Sequence, residues 1–314
     1  QALIGQYGIG KGTLTVSNGA FAAFVRDFTI GRLDLDATKH AIGILNLSTS
    51  SLIVADNMYL GDNLTSTGIL TAAAGGVVRI GTSAFPCNLK LGNCLGYYSA
   101  EGIMEATNWT LLADLNSLTV ADGGGQNWYG VGTMTLDGDD QLIVLSNLNV
   151  AVGAWTYGTL TAPGSALQLG TSANSRANRL AIGYTANNGG RDAHGTVNIT
   201  GNSFSAYLNE VIVGRNDNVD PSYGTLNLAR TNLIVADRFD IGGTDGKVTV
   251  PAGGELQIGA PTNRGTLRVA YQNSHNQTRG ALTPTNWTLR AYLKDLYLGN
   301  TESSYGYADG VVTL

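Results

Sequence analysis

The sequence predicts an all-β fold, a right-handed parallel β-helix (β-solenoid) of about ten coils with three short strands each. Three observations point there. A glycine-led motif recurs along the whole chain, strict apolar alternation follows each glycine, and the spacing between motifs cycles in threes.

The motif is Gly-x-apolar-x-apolar, as in GTLTV. It opens at Gly12, Gly43, Gly68, Gly102, Gly132, Gly158, Gly195, Gly224, Gly280 and Gly310, with a matching KVTV after Gly246. Successive spacings are 31, 25 and 34 residues, then 30, 26 and 37, then 29, 22 and 34, then 30. The chain is therefore one domain over residues 1–314, a super-repeat of roughly 90 residues made of three unequal units. The super-repeats cover about 12–101, 102–194 and 195–279, with a partial copy at 280–314.

Each unit carries three short extended segments. The first places apolar residues two apart, as in Leu14 and Val16, Leu45 and Leu47, Met134 and Leu136, Leu226 and Leu228. That alternation marks a strand with one buried face. The third segment ends in apolar-x-apolar followed by Gly or Ala, as in Phe28–Gly31, Leu89–Gly92 and Val211–Gly214. One coil of three short strands encloses no core, but stacked coils share a continuous apolar column. Their strands then pair in parallel about 4.8 Å apart. Parallel crossovers are overwhelmingly right-handed, which sets the expected hand. An antiparallel sandwich would need two-residue hairpin turns between neighbouring strands and leaves the ordered cycle of spacings unexplained.

Composition narrows the class. The 314 residues include 43 Gly and 6 Pro, only 13% are charged, and the net charge is −5 with a pI near 5.1. Without clustered basic residues a nucleic-acid partner is not expected, and no apolar run approaches the roughly 18 residues of a membrane span. No leader pattern opens the chain, which suits a cytosolic, processed or partial sequence. The runs GTLTVSNGA, LTAPGSALQLGTSA and VTVPAGGELQIGA resemble repeats of extracellular β-solenoid proteins, such as passenger segments of bacterial autotransporters and secreted repeat proteins of microbial surfaces. The resemblance covers nearly the whole chain. It implies the solenoid fold and a cell-surface or extracellular setting, and brings no catalytic residues and no cofactor with it.

Polysaccharide-cleaving β-solenoids need clustered carboxylates with an Arg, Lys or metal to stabilise developing charge. The best acidic group here, Asp137, Asp139 and Asp140 in LDGDDQL, occupies the turn between the first and second strands, where Asp serves turn geometry. The strings Asn-Thr-Asp, Gly-His-Gly and Arg-Ile-Lys are absent, AHG at 193–195 being the nearest approach. His40, His194 and His275 fall at different offsets within their units and do not stack into a metal site. No enzyme activity is expected.

Three non-catalytic candidates remain. Outward Thr residues of the first strand, among them Thr133, Thr135, Thr159 and Thr161, suggest an ice-binding face, but Ile44, Glu105 and Lys247 interrupt the rows. Thr is in any case a favoured outward strand residue. The segments leading from the third strand to the next anchor glycine are rich in aromatics: Tyr7, Tyr97, Tyr98, Trp128, Tyr129, Trp155, Tyr157, Tyr184, Tyr223, Tyr271, Tyr305 and Tyr307. They share one corner of every coil, so a single ridge along the rod is expected. It serves either as an interaction face, polysaccharide included, or as a lid over the sheet edge. Finally, six Asn-x-Ser/Thr acceptor patterns for N-linked sugar begin at Asn46, Asn63, Asn108, Asn198, Asn276 and Asn286. TNWTL occurs at 107–111 and again at 285–289, aligned with SNGA and TGNS of the sister units. Asn exchanging with Gly there predicts a turn needing positive φ.

Cys87 and Cys94 flank one third strand. An extracellular setting favours a disulfide. An extended run of that length holds the Cα atoms roughly 23 Å apart, against less than about 7 Å for a bond. The chain starts inside a third unit and stops in a first strand, with no capping segment at either end. Uncapped solenoid ends invite stacking, and the expected partner is the protein itself, in an extracellular fibre or surface layer.

Overall fold

The computed structural model describes residues 1–314 except 7–9, 35–38, 96–97, 124–127, 186–191, 218–219, 272–276, 285, 301–306 and 313–314. It is a parallel β-solenoid of about nine turns, as expected, with no helix among the described residues. Two sheets run the length of the rod, one of eleven strands and one of fifteen, and every pairing between named strands is parallel.

The eleven-stranded sheet contains the glycine-led segments, from Gly10–Thr15 to Tyr307–Val312. Its register puts every anchor glycine against the next. Gly12 pairs with Gly43, Gly43 with Gly68, Gly68 with Gly102, and so on through Gly280 to Gly310. The residue two beyond each glycine faces inward, so Leu45, Leu70, Met104, Met134, Leu160 and Leu226 form a buried column. Each such side chain contributes about 1.5–3 kcal/mol on full burial.

The fifteen-stranded sheet holds the second and third segments. In first and second units these are continuous, in strands such as Phe21–Leu33, Ser50–Asn63, Thr110–Gly123 and Gln141–Gly153, except in the last first unit, where Tyr292 alone separates Thr288–Ala291 from Leu293–Leu298. A register shift between Leu115 and Ser117 marks where two expected strands join. The third units show well-separated strands: Val77–Ile80 and Cys87–Cys94, Leu167–Leu169 and Ala177–Tyr184, Glu255–Ile258 and Gly265–Val269. There five or six extra residues leave the sheet as a small outcrop, closed by the bridges Thr82–Phe85, Ser172–Ser175 and Ala260–Asn263. The three-unit cycle in the spacings thus has a physical origin, since every third coil carries the outcrop. Arg176 ties two outcrops together, donating to Leu208 O, to Asp237 (2.5 Å) and to Asn263 (3.1 Å).

The sheets converge on a seam of small residues. A Cβ built on any anchor glycine would lie 2.1–2.7 Å from a backbone nitrogen of the other sheet, far inside contact distance. The facing column is Gly5, Gly31, Gly61, Gly92, Ala121, Ala151, Gly183, Gly214, Gly242, Ala270 and Gly299. Apart from Gly242, these residues hold φ between 54° and 72°, the left-handed region that turns the strand end away from the seam. Gly43→Ala is expected to cost about 1–3 kcal/mol or more in overpacking, since its Cβ would meet Gly31 N at 2.1 Å. Ala151→Gly is expected to be near neutral. Relief of about 1 kcal/mol of left-handed strain is offset by a similar gain in unfolded-chain entropy. Urea unfolding of the two variants tests both.

Candidate functional site

The functional candidates gather along the seam corner and along the opposite corner, where the chain passes from the first sheet to the second. The expected single aromatic ridge is not what the structure shows. Its described members divide between the two sheets, because each ring follows the face of the strand that carries it. Tyr7, Tyr97, Tyr305 and Asn276 lie outside the described residues, as does the side chain of Trp128.

On the first sheet, Tyr157, His194 and Tyr223 occupy one register column and stack face to face. Centroid separations are 5.1 and 4.4 Å and interplanar angles 4° and 8°. The coil spacing of about 4.8 Å suits ring stacking directly. Asp192 Oδ2 stands 3.5 Å from His194 Nε2. Burial, with the Asp192 and Asp245 carboxylates, holds the Tyr223 hydroxyl above its usual range. Alongside, Tyr129 meets Trp155 edge to face at 4.3 Å. Rings stacked on one another give solvent their edges, and a sugar stacks on a ring face, so this ladder is poorly shaped for the sugar platform expected of a ridge. Tyr98 and Tyr307 stand apart and more than half exposed. Sequence reasoning missed His194, although the signal was present: Tyr157, His194 and Tyr223 each immediately precede an anchor glycine.

On the second sheet, Tyr184 and Tyr271 belong to a charged cluster. Tyr184 donates to Asp217 Oδ2 at 2.7 Å, and burial together with that bond raises its hydroxyl pKa. Asp217 also receives two arms of Arg215, at 2.7 and 2.9 Å. Asp240, 2% exposed, is held by Arg268 (Nε–Oδ1 2.6 Å), by Arg215 at 3.1 Å and by Arg238 at 3.4 Å. Glu210 pairs with Arg215 and Arg238, and the Arg268 guanidinium lies 3.7 Å from the Tyr271 ring centroid. A smaller cluster precedes it. Arg32 meets Asp62 at 3.1 Å, Asn93 donates to Asp62 at 2.6 Å, and Lys90 meets Asp122 at 2.8 Å. Every cation named here is engaged with a carboxylate, so these clusters act as braces between coils.

The opposite corner holds the acidic turn and TNWTL. Asp140 is buried and accepts from Leu111 N (2.6 Å) in the preceding coil and from Asp137 N (2.7 Å), while Asp139 N donates to Asp137. The carboxylates serve the turn and the coil below it. Of the TNWTL asparagines, Asn286 has the predicted positive φ of 65°, as does aligned Gly201 at 92°. Asn108 does not, and in SNGA the left-handed residue is Gly19 rather than Asn18. Both TNWTL asparagines use their carbonyls as coil-to-coil acceptors, from Gly75 N at 2.8 Å and from Gly253 N at 2.5 Å.

Cys87 and Cys94 form no disulfide, because they sit at the two ends of one extended strand. Burial pushes the Cys87 thiol up to about 12, so it is unreactive. His40 bonds Thr67 Oγ1 at 2.9 Å, and His275 lies outside the described residues. Among the described residues no three His, Cys, Asp or Glu side chains converge as a metal site, and no helix is long and apolar enough to cross a membrane.

These features define a β-solenoid whose outward residues are largely bonded between coils. In comparisons with protein families, curated proteins and solved structures, nothing matches the chain.

Two predictions follow from the braces. Asp240→Ala leaves three buried or half-buried guanidinium groups short of a partner and is expected to destabilise by about 3–5 kcal/mol in thermal or urea unfolding. Burial raises the Asp140 pKa from 3.8 to about 6, against the pull of the Leu111 and Asp137 N–H groups. The folded state then holds this proton more tightly than the unfolded chain, and the group's contribution to stability falls as pH rises from about 4 to about 6. Asp140→Ala is expected to lose about 1–3 kcal/mol and to flatten that part of the stability–pH curve.

Proposed function

We propose that this protein is a non-enzymatic structural β-solenoid of an extracellular or cell-surface assembly, in which copies continue one another along the rod axis. The observation that supports this reading most is how the outward polar residues are used. On the first sheet Asn46 donates to Thr15 and accepts from Thr71. Further along, Asn198 donates to Thr161, Asn227 to Asn198, and Thr249 to Asn227. On the second sheet Asn57, Asn88 and Asn178 bond coil to coil in the same way. Side chains that could converge on a substrate instead stitch each coil to the next, which stiffens a rod.

A sugar-binding module is the second reading, favoured by the exposed Tyr98 and Tyr307 rings. Electron microscopy of the purified protein is expected to show filaments or stacked rods, and a monodisperse monomer at high concentration overturns assembly. Incubation with a glycan panel separates the rest. Binding without release supports the module, and release of reducing ends overturns the non-enzymatic reading.

A further inference from the structure

Six acceptor patterns for N-linked sugar look alike as strings, but the fold treats the five described ones differently. Asn46 and Asn198 lie inside strands Ala41–Leu47 and Ala193–Thr200, each paired on both edges. Both ends of each amide are engaged. Asn46 bonds Thr15 and Thr71, and Asn198 bonds Thr161 and Asn227. Asn63 is half-buried in the seam corner with its amide on Asp34 at 3.1 Å. A transferase must take an acceptor segment into its own cleft, and a strand bonded on both edges cannot leave the sheet to enter one.

Asn108 and Asn286 differ from these in side-chain exposure and in preceding a strand, Thr110–Gly123 or Thr288–Ala291, rather than lying inside one. Both side chains are exposed at the corner between the sheets. The backbone of each is anchored through its carbonyl, to Gly75 N and Gly253 N, so the residue is held outward rather than folded down. The Asn108 amide nitrogen has only a long 3.5 Å contact with the neighbouring Thr107 hydroxyl. We infer that Asn108 and Asn286 are N-linked sugar acceptor sites of the folded molecule, and that Asn46, Asn63 and Asn198 are not. The bond formed joins Asn Nδ2 to the anomeric carbon of an activated sugar. The carbon–oxygen bond to the phosphate carrier breaks, and the amide loses one proton. The two sites share one corner six coils apart, about 29 Å along the axis. A sugar at Asn108, in mid-rod, is compatible with axial stacking, whereas Asn286 precedes Thr288–Ala291, the last strand in the order of the fifteen-stranded sheet. Occupancy in the native setting rests on the extracellular reading; acceptor competence does not.

The test uses the full folded chain, UDP-glucose and a soluble N-glycosyltransferase, with peptide mass spectrometry to locate added hexose. The expected result is hexose on Asn108 and Asn286 alone. One site should be lost in each of Asn108→Gln and Asn286→Gln, and Asn46, Asn63 and Asn198 should become acceptors only after unfolding in urea. Hexose on Asn46, Asn63 or Asn198 in the folded protein overturns the assignment, as does failure of Asn108 and Asn286 to accept it. Microscopy of the same sample before the transferase is added reads assembly separately. Missing filaments count against the proposed function and leave the acceptor sites standing.

Discussion

The close approach of two backbones at the glycine seam is the constraint on which the rest of this structure depends. The two sheets can wrap one narrow core only if they meet along a line where side chains are absent. At that line an anchor glycine of one sheet lies against a Gly or Ala of the other, with no room for a Cβ on the anchor. The facing residue must also reverse the chain sharply, which places it in the left-handed region. Glycine satisfies both demands at once. Where Ala121, Ala151 and Ala270 take the facing position, the anchor's would-be Cβ is 2.5–2.7 Å from their nitrogens, toward the loose end of the range. On the anchor side the demand is close approach, and on the facing side both demands apply, since a Cβ on Gly5, Gly31, Gly61, Gly92 or Gly183 would lie 1.9–2.3 Å from backbone atoms as well.

With the seam in place, register follows. A parallel stack aligned at one glycine per coil is aligned everywhere, because slipping by one residue would turn every apolar side chain outward. Inward, this produces columns of like residues. Outward, it produces ladders of like polar groups, and the same geometry that stacks Leu on Leu stacks Asn on Asn and Tyr157 on His194 on Tyr223. The polar surface is thus largely satisfied by itself. That self-satisfaction underlies the view of the molecule as a structural rod, and it distinguishes the corners, where residues escape the ladders, from the faces, where they do not.

Much of this was legible in the residue string. Period-two alternation identified the first strand of each coil, and the cycle of glycine spacings identified both the stacking and the three-unit super-repeat. The acidic turn around Asp140 was recognisable as turn chemistry from its place between the first and second strands of its unit. Less visible was how the second and third segments join. Whether they form one long strand or two depends on the outcrop, whose residues, such as TSAFP and APTNR, look like ordinary turns. The aromatic ridge was misplaced because a corner position in sequence does not say which sheet a ring will lie against.

What the sequence by itself determined is the class of fold, the coil boundaries and the buried columns. These follow from local periodicity repeated many times, and repetition makes a weak local signal strong. Only the tertiary structure decided which outward groups meet. The Asp240 brace draws on Arg215, Arg238 and Arg268 from three different coils, and the difference between Asn46 and Asn108 lies in whether neighbouring coils supply partners to the amide. Such contacts depend on what is stacked above and below a residue, and no short stretch of chain contains that information.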